Sequence, residues 1–195
     1  MNNITWENVF FDTIKHQPTS AEYIQPLLVG ASVPDLLLTT SEGVPLSLNA
    51  VIAQQPAILV FGRGEWCGYC KLQLIQLREL EAEISQLGFR LIAITPDVPS
   101  RLRSISRHYS LNYLLLSDSD MQCASAFGIA YEAAEESQDF YRKLQQASGF
   151  SHRLLPVPSV FIIDTNGFIQ FEHVTPNFKE RLHPDILLTA ARIYG

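Results

Sequence analysis

Residues 57–70 read AILVFGRGEWCGYC. The first five, 57–61, form a continuous apolar run of strand length, which is typical of a central strand buried on both faces. After a loop with two glycines, Cys67 and Cys70 stand two residues apart, and apolar residues then recur at every third or fourth position up to Gly88, which favours a helix end. The stretch therefore predicts a buried strand that leads through an exposed loop into a helix beginning at the two cysteines.

The segments that follow alternate between two kinds of secondary structure. Strands are predicted at 90–95 and 113–116, and helices at 100–108 and 120–127. Such alternation implies parallel strands joined by right-handed crossovers. The chain is therefore expected to adopt an α/β fold around a central sheet.

The C-terminal part has a different pattern. Strands predicted at 159–163 and 168–173 flank a turn that contains Asn-Gly, a strong hairpin signal, so this pair is expected to be antiparallel. A terminal helix is predicted at 186–194. Parallel strand–helix–strand units followed by two antiparallel strands and a helix resemble the thioredoxin-like fold, a central mixed sheet flanked by helices.

Three segments extend this pattern. An amphipathic helix is predicted at 3–16, a hairpin extension at 35–48, and a polar, helical insertion at 131–155, just before the strand that follows Pro158. We therefore divide the chain into an N-terminal helical arm, residues 1–25, and one domain, residues 26–195.

The composition excludes several classes of protein. The 195 residues are 47% hydrophobic and 17% charged, which is typical of a folded globular protein. The net charge of -6 and the scattered 14 Lys and Arg residues argue against nucleic acid as a partner. No apolar run approaches the roughly 20 residues that span a bilayer, and the N-terminus does not read as a secretory signal. With three cysteines, the chain is expected to be cytoplasmic.

The two cysteines at the start of the predicted helix carry the candidate chemistry. The positive end of the helix dipole stabilises an anion, so the pKa of Cys67 should lie below the ordinary value of about 8.5. The Cys67 thiolate is then expected to attack a disulfide, and Cys70, one helical turn further on, to resolve the mixed disulfide. No cofactor is expected besides this redox-active pair.

Two other interpretations of the pair are open. Zinc needs two further ligands, but Cys123 stands alone and no second CxxC is present, so we predict no metal site. A buried, inert pair is the other interpretation, and the glycines and Trp66 before the pair argue against it because they favour an exposed loop.

The chain resembles two related families. Residues 65–70 are similar to the thioredoxin active site, with Tyr69 in place of the usual proline. A wider resemblance, over residues 29 to 194, is to the AhpC/TSA branch of the thioredoxin-like superfamily, the peroxiredoxin-like redoxins. The segments that carry it are 29–35, the hairpin, 61–64, 116–118 and 161–164.

The chain departs from both families at specific positions. Peroxiredoxins share a Pro-x-x-x-Thr-x-x-Cys loop and an arginine before the late strand, and this chain has Val60, Gly64 and Pro158 at those three positions. Thioredoxins carry a buried carboxylate six residues before the first cysteine, where this chain has Phe61. These departures favour disulfide exchange over peroxide reduction, with a resolving step that relies on water or another group.

The resemblance also implies supporting residues. Pro158, in Val157-Pro158-Ser159, matches the proline that thioredoxins hold in cis beside the cysteine pair, and the carbonyl groups around it would pair with a substrate backbone. Arg63 could stabilise the thiolate or bind a substrate anion, although a loop arginine is more often simply solvated. Trp66, Gly68 and Tyr69 complete the predicted site, and Cys123 is expected to be buried and inert.

The sequence thus predicts a thiol-disulfide oxidoreductase that uses Cys67 and Cys70. One alternative is a thiol-dependent peroxidase in which Cys67 is oxidised to a sulfenic acid. A second is a redox-responsive binding module that acts through residues 1–25 or 131–155. The expected partners are a disulfide or peroxide substrate and a thiol reductant, with no nucleic acid and no membrane, and the sequence allows a homodimer.

Overall fold

The computed structural model describes residues 17–133 and 136–195. The amphipathic helix predicted at 3–16 lies outside the described residues. The first described element is a single turn of 3-10 helix, Ala21–Tyr23, which begins where the Ser20 side chain accepts a hydrogen bond from the N–H of Glu22. Nowhere in these two ranges is a helix long and apolar enough to cross a bilayer.

Seven of the strands in the described residues form one mixed sheet, in the order β2-β1-β5-β4-β3-β8-β9. The two others, β6 and β7, pair with each other. The strands are β1 Leu37–Thr40, β2 Pro45–Ser47, β3 Ala57–Phe61, β4 Arg90–Thr95, β5 Leu114–Ser117, β6 Ala130–Glu132, β7 Leu154–Pro156, β8 Ser159–Ile163 and β9 Ile169–Val174.

The α-helices of the described residues lie between or after these strands. They are α1 Leu48–Ile52, α2 Gly68–Gln86, α3 Pro99–Tyr109, α4 Gln122–Ala126, α5 Gln138–Ser148 and α6 Pro184–Tyr194. The long helix α2 begins directly after Cys67, as the cysteine spacing and the apolar periodicity predict.

The pairing of the strands confirms the predicted topology. Strand β3 runs parallel to β4, and β4 runs parallel to β5. The two late strands, β8 and β9, are antiparallel to each other, as the Asn-Gly turn predicts, and β8 is also antiparallel to β3. The C-terminal end of β3 therefore lies in the middle of the sheet, where the loop to α2 carries the cysteine pair.

The two extensions differ in part from their predictions. The predicted hairpin β1–β2 is present, and it is also joined to the core, because β1 pairs with β5 and extends the main sheet. The insertion is helical only at its centre, since β6 and β7 flank α5 and form a separate two-stranded sheet. The strand Leu154–Pro156 was not predicted, because its three buried residues lie at the end of a stretch that is polar in composition.

Strand β3 separates the core into two layers. Ile58 and Val60 pack with residues of α2 and α6 on one face. Leu59 and Phe61 point to the other face, where they pack with residues of β8 and α4. This alternation follows from the period of two along a strand, and all five residues of β3 are buried.

Candidate active site

Cys67 is the N-cap residue of α2. The loop from Gly62 is anchored to β4, because the Gly62 N–H donates to the Ile94 carbonyl at 3.0 Å. At the helix start, the backbone N–H groups of Cys70 and Tyr69 donate to the Cys67 sulfur. No side-chain oxygen caps this end of the helix, and the Cys67 sulfur lies in the positive field of the helix terminus.

The two thiols interact directly, and all three cysteines of the chain are free. The Cys70 thiol donates to the Cys67 sulfur, which is the largest cause that lowers the pKa of Cys67 to about 5, against the opposing effect of burial. The same hydrogen bond, followed by burial, raises the pKa of Cys70. At neutral pH, Cys67 is therefore the thiolate and Cys70 the thiol.

Arg63 lies inside the site and is only 4% exposed. Its guanidinium carbon lies 4.5 Å from the ring centre of Phe178 and 5.2 Å from that of Trp66. The positive charge contributes to the lowered pKa of Cys67. The structure thus excludes a solvated loop arginine and places this charge beside the thiolate.

Replacing Arg63 with methionine should shift the pH dependence of Cys67 reactivity upward. Without the cation, the pKa of Cys67 rises, and a rise of about one unit lowers the thiolate fraction at pH 5 roughly fivefold. At pH 8, where Cys67 is ionised in both proteins, the rates should be similar. The measurement is the rate of iodoacetamide alkylation between pH 4 and pH 9.

The matched control is Arg103→Met, which removes a cation whose guanidinium donates to the Ser41 carbonyl on another part of the surface. Its alkylation profile should superimpose on that of the wild type. If the profile of Arg63→Met also superimposes, Arg63 does not act on Cys67.

Aromatic side chains from distant segments cover the cysteine loop. Phe140 of the insertion packs edge-on against Trp66, with ring centres 5.1 Å apart. Phe178, which follows β9, packs in the same way against Tyr69 at 6.0 Å. Tyr69 itself remains 42% exposed, and Gly68 is exposed with free space where a Cβ would stand.

This cover corrects the expectation of an exposed loop. Cys67 is 6% exposed and Cys70 is 2% exposed. The prediction was wrong because Phe140 and Phe178, which pack against Trp66 and Tyr69, come from segments whose position no local pattern reveals. The insertion thus has a structural role, since α5 supplies part of the cover.

Gly64 has a backbone conformation that excludes most side chains. Its φ is +111°, and a Cβ there would lie 2.8 Å from the indole Nε1 of Trp66 and 3.2 Å from Oδ2 of Asp97. A β-branched threonine, the residue of the peroxiredoxin loop at this position, would be strained. The backbone of this loop therefore does not suit the threonine of the peroxiredoxin pattern at position 64.

Asp97 is a buried acid that the sequence did not reveal as part of the site. Its Oδ2 accepts hydrogen bonds from the Glu65 N–H and the Thr95 hydroxyl, both at 2.9 Å. Burial raises its pKa, and these bonds oppose the rise. Asp97 lies two residues after the end of β4, and the carboxyl ends of parallel strands meet at one edge, which is the signal that could have identified it. It positions the loop before Cys67.

Arg181 is the second residue that was missed. It follows β9, and its Nη2 donates to the Cys70 sulfur at 3.0 Å. The two residues are 111 positions apart, and no motif connects them. Only the folded chain brings this cation to the second cysteine.

Pro158 does not have the predicted cis bond. The described peptide bonds include no cis bond, so the Val157–Pro158 bond is trans and the prediction is wrong. Backbone hydrogen bonds hold the chain on both sides of this bond. The Val157 N–H donates to the Ile129 carbonyl at 2.8 Å, and the Pro158 carbonyl accepts from the Thr175 N–H at 3.1 Å. The Pro158 carbonyl, expected to pair with a substrate backbone, therefore already accepts a hydrogen bond within the chain, as does the Val157 carbonyl from the Ser159 hydroxyl.

Phe61 and Cys123 also lie away from the paired sulfurs. The Phe61 ring packs against Phe127 and Phe161, in the layer of the core opposite α2. Gly62, the next residue, faces Cys70, since a Cβ there would lie 3.7 Å from the sulfur. Cys123 is 1% exposed, which confirms that it is buried, and burial raises its pKa.

Comparison with known proteins gives relatives over most of the chain. The model of the AhpC/TSA family matches residues 29–172. Peroxiredoxin Bcp of Escherichia coli strain K12 is 28% identical over 165 residues, which cover 85% of this chain and 96% of that protein. A putative peroxiredoxin bcp of Haemophilus influenzae is 31% identical over 106 residues, 54% of this chain and 68% of that protein.

Solved structures share the fold. Peroxidoxin BcpB from Mycobacterium tuberculosis matches with a TM-score of 0.67 at 21% identity, covering 85% of this chain and 96% of that chain. Reduced Prx3 from Vibrio vulnificus, in complex with hydrogen peroxide, matches with a TM-score of 0.71 at 18% identity, covering 86% and 98%. The thioredoxin-like fold predicted from the sequence is confirmed.

Proposed function

The chain belongs to the AhpC/TSA family and is a thiol oxidoreductase, and from this premise we propose that it works as a thiol-dependent peroxidase with Cys67 as the peroxidatic residue. The observation that carries the proposal is the state of Cys67. Its sulfur is ionised near neutral pH and lies beside a buried cation, yet the residue is only 6% exposed. A reactive thiolate in a covered site suits a small substrate.

Size separates the two candidate substrates. A protein disulfide must bring its sulfur atoms, with the backbone around them, into line with the attacking thiolate, and the burial of Cys67 hinders that approach. A peroxide needs room for two oxygen atoms and one substituent. The burial of Cys67 therefore favours the peroxide, and reverses the preference drawn from the sequence departures alone.

The proposed reaction has two steps in the protein. The Cys67 thiolate attacks the terminal oxygen of the peroxide, the O–O bond breaks, and the products are a sulfenic acid on Cys67 and an alcohol or water once a proton is taken up. The Cys70 thiolate then attacks the Cys67 sulfur and releases water, which leaves a Cys67–Cys70 disulfide. A thiol reductant supplies two electrons and two protons to restore both thiols.

Arg63 supports the first step. Attack develops negative charge on the leaving oxygen, and a buried cation near the sulfur stabilises that charge more strongly than one in water. Peroxiredoxins place an arginine where this chain has Pro158, so we propose that Arg63 supplies the cation from the cysteine loop instead. Because position 64 is a glycine, the chain has no hydroxyl where peroxiredoxins have their threonine. The hydrogen-bond donors that remain for the Cys67 sulfur include the backbone N–H groups at the start of α2.

Disulfide exchange remains a second candidate because of one specific observation. The two sulfurs already share a hydrogen bond, as in a site that opens and closes a disulfide within one helical turn. A dithiol of this geometry can pass its electrons to a disulfide if the cover moves aside.

Parallel assays with one reductant separate the candidates. We expect the wild-type protein with dithiothreitol to consume hydrogen peroxide or cumene hydroperoxide at least about tenfold faster than it reduces insulin disulfides, each rate corrected for the Cys67→Ser protein. Insulin reduction with peroxide consumption at the background rate would overturn the proposal and favour disulfide exchange. Both rates at background would favour a redox-responsive binding module.

A further inference from the structure

The side chain of Arg181 donates hydrogen bonds to four different groups. Its Nε donates to the Gln73 side-chain oxygen at 2.7 Å, and Gln73 is itself buried in α2. Its Nη1 donates to the carbonyls of Phe178 at 2.8 Å and Glu180 at 2.5 Å. Its Nη2 is thereby directed at the Cys70 sulfur, 3.0 Å away. The guanidinium is held in place before any reaction begins.

Cys70 needs such a partner. To resolve an oxidised Cys67 it must lose its proton, but it is 2% exposed, and a buried thiol resists ionisation. Thioredoxins assist this step with a carboxylate at the position that Phe61 occupies in this chain. The Phe61 ring cannot take its place, because it is apolar and lies in the opposite layer of the core. The groups that do donate to the Cys70 sulfur are Arg181 and the Arg63 backbone N–H at 3.3 Å.

We propose that Arg181 is a catalytic residue of the resolving step, which stabilises the negative charge on the Cys70 sulfur when that sulfur attacks Cys67. The proposal rests on the proposed function in that Cys70 is the resolving thiol. The Cys70 proton leaves for solvent, the new S–S bond forms, and the group bound to the Cys67 sulfur departs with the electron pair. In the reverse direction, when a reductant attacks Cys67, the same cation stabilises Cys70 as the leaving thiolate.

The reagent 5,5′-dithiobis(2-nitrobenzoate) separates this step from all peroxide chemistry. Attack by Cys67 releases one thionitrobenzoate at a rate that depends on the reagent concentration. Attack by Cys70 on the resulting mixed disulfide releases a second at a rate that does not. Both releases are followed by the absorbance of thionitrobenzoate. The rate of the second, resolving release is measured as a function of pH.

We expect Arg181→Met to slow the concentration-independent phase and to spare the other. Loss of the cation raises the pKa of Cys70 by an expected one to three units, which lowers the thiolate fraction about tenfold per unit. The higher pKa makes the remaining thiolate roughly threefold more nucleophilic per unit, so the net loss is about three- to thirtyfold. The phase should also reach its maximum at a higher pH. Arg181→Lys, which restores the charge, should recover part of the rate.

Two controls define the result. Lys179→Met removes a cation from the same loop that lies over Phe178 and should leave both phases unchanged. Cys70→Ser should release a single thionitrobenzoate.

If Arg181 only held the loop in place, Arg181→Met and Arg181→Lys would slow the resolving phase equally with no shift in its pH profile, and the proposal would be wrong. An unchanged phase in Arg181→Met would overturn it as well. Peroxide turnover enters neither outcome, so failure of the proposed function is measured separately.

Discussion

Replacing Cys67 with serine is expected to lower peroxide turnover by at least about a thousandfold, because a serine hydroxyl is not ionised near neutral pH and forms no sulfenic acid. The measurement is the steady-state consumption of hydrogen peroxide with dithiothreitol. Cys123→Ala is the matched control, since it removes a thiol that is buried in α4 away from the paired sulfurs. That protein should retain most of the wild-type rate.

The Cys70→Ser protein should behave differently from both. It keeps a hydroxyl that can donate to the Cys67 sulfur, so Cys67 should still react with one equivalent of peroxide. Because no resolving thiol is present, the sulfenic acid should persist and be trapped by dimedone, as a mass increase on the peptide that contains Cys67. Retention of more than a tenth of the turnover in Cys67→Ser, or dimedone trapped on another cysteine, would remove Cys67 from its assigned role.

Replacing Phe61 with alanine should lower the free energy of unfolding by about 3–5 kcal/mol. The ring is 1% exposed and lies 5.1 Å and 5.9 Å, between ring centres, from Phe127 and Phe161. These two rings are themselves 5.0 Å apart, so the substitution leaves a cavity in a cluster of three aromatic rings. Urea unfolding measures the change, and thermal unfolding should show a midpoint lower by roughly 6–20 °C.

Two further variants test the cause of this loss. Phe61→Leu preserves most of the volume and should cost less than about 1.5 kcal/mol. Phe168→Ala removes a phenylalanine that is 45% exposed and should change the free energy of unfolding by no more than about 0.5 kcal/mol. A loss below 1 kcal/mol in Phe61→Ala would contradict the packing of this layer of the core.

The strands and helices were predictable where a local pattern decides them. The apolar run of β3, the periodicity of α2 and the Asn-Gly turn between β8 and β9 each depend on residues close together in the chain. The insertion was only half predictable. Its polar helix was predictable, but β6 and β7 are three residues each and depend on pairing across 22 to 26 positions, from Glu132 with Leu154 to Ala130 with Pro156.

The preference between two chemistries could not be settled by comparing motifs. Gly64 and Pro158 depart from the peroxiredoxin pattern, and on the sequence alone they favoured disulfide exchange. The folded chain accounts for both residues locally, Gly64 through its positive φ against Trp66 and Pro158 through a trans bond just before β8, where its carbonyl accepts from the Thr175 N–H. The site still has a cation that lowers the pKa of Cys67, because Arg63 lies within it.

By itself, the sequence determined the cysteine pair at the start of a helix, the central strand before it and the order of the elements around it, because these depend on spacing and periodicity within one segment. The tertiary structure decided what surrounds the sulfurs: the cover by Phe140, the buried position of Arg63 and the contact of Arg181 with Cys70. These depend on packing between segments up to 111 residues apart, and they decide which of the two thiols ionises.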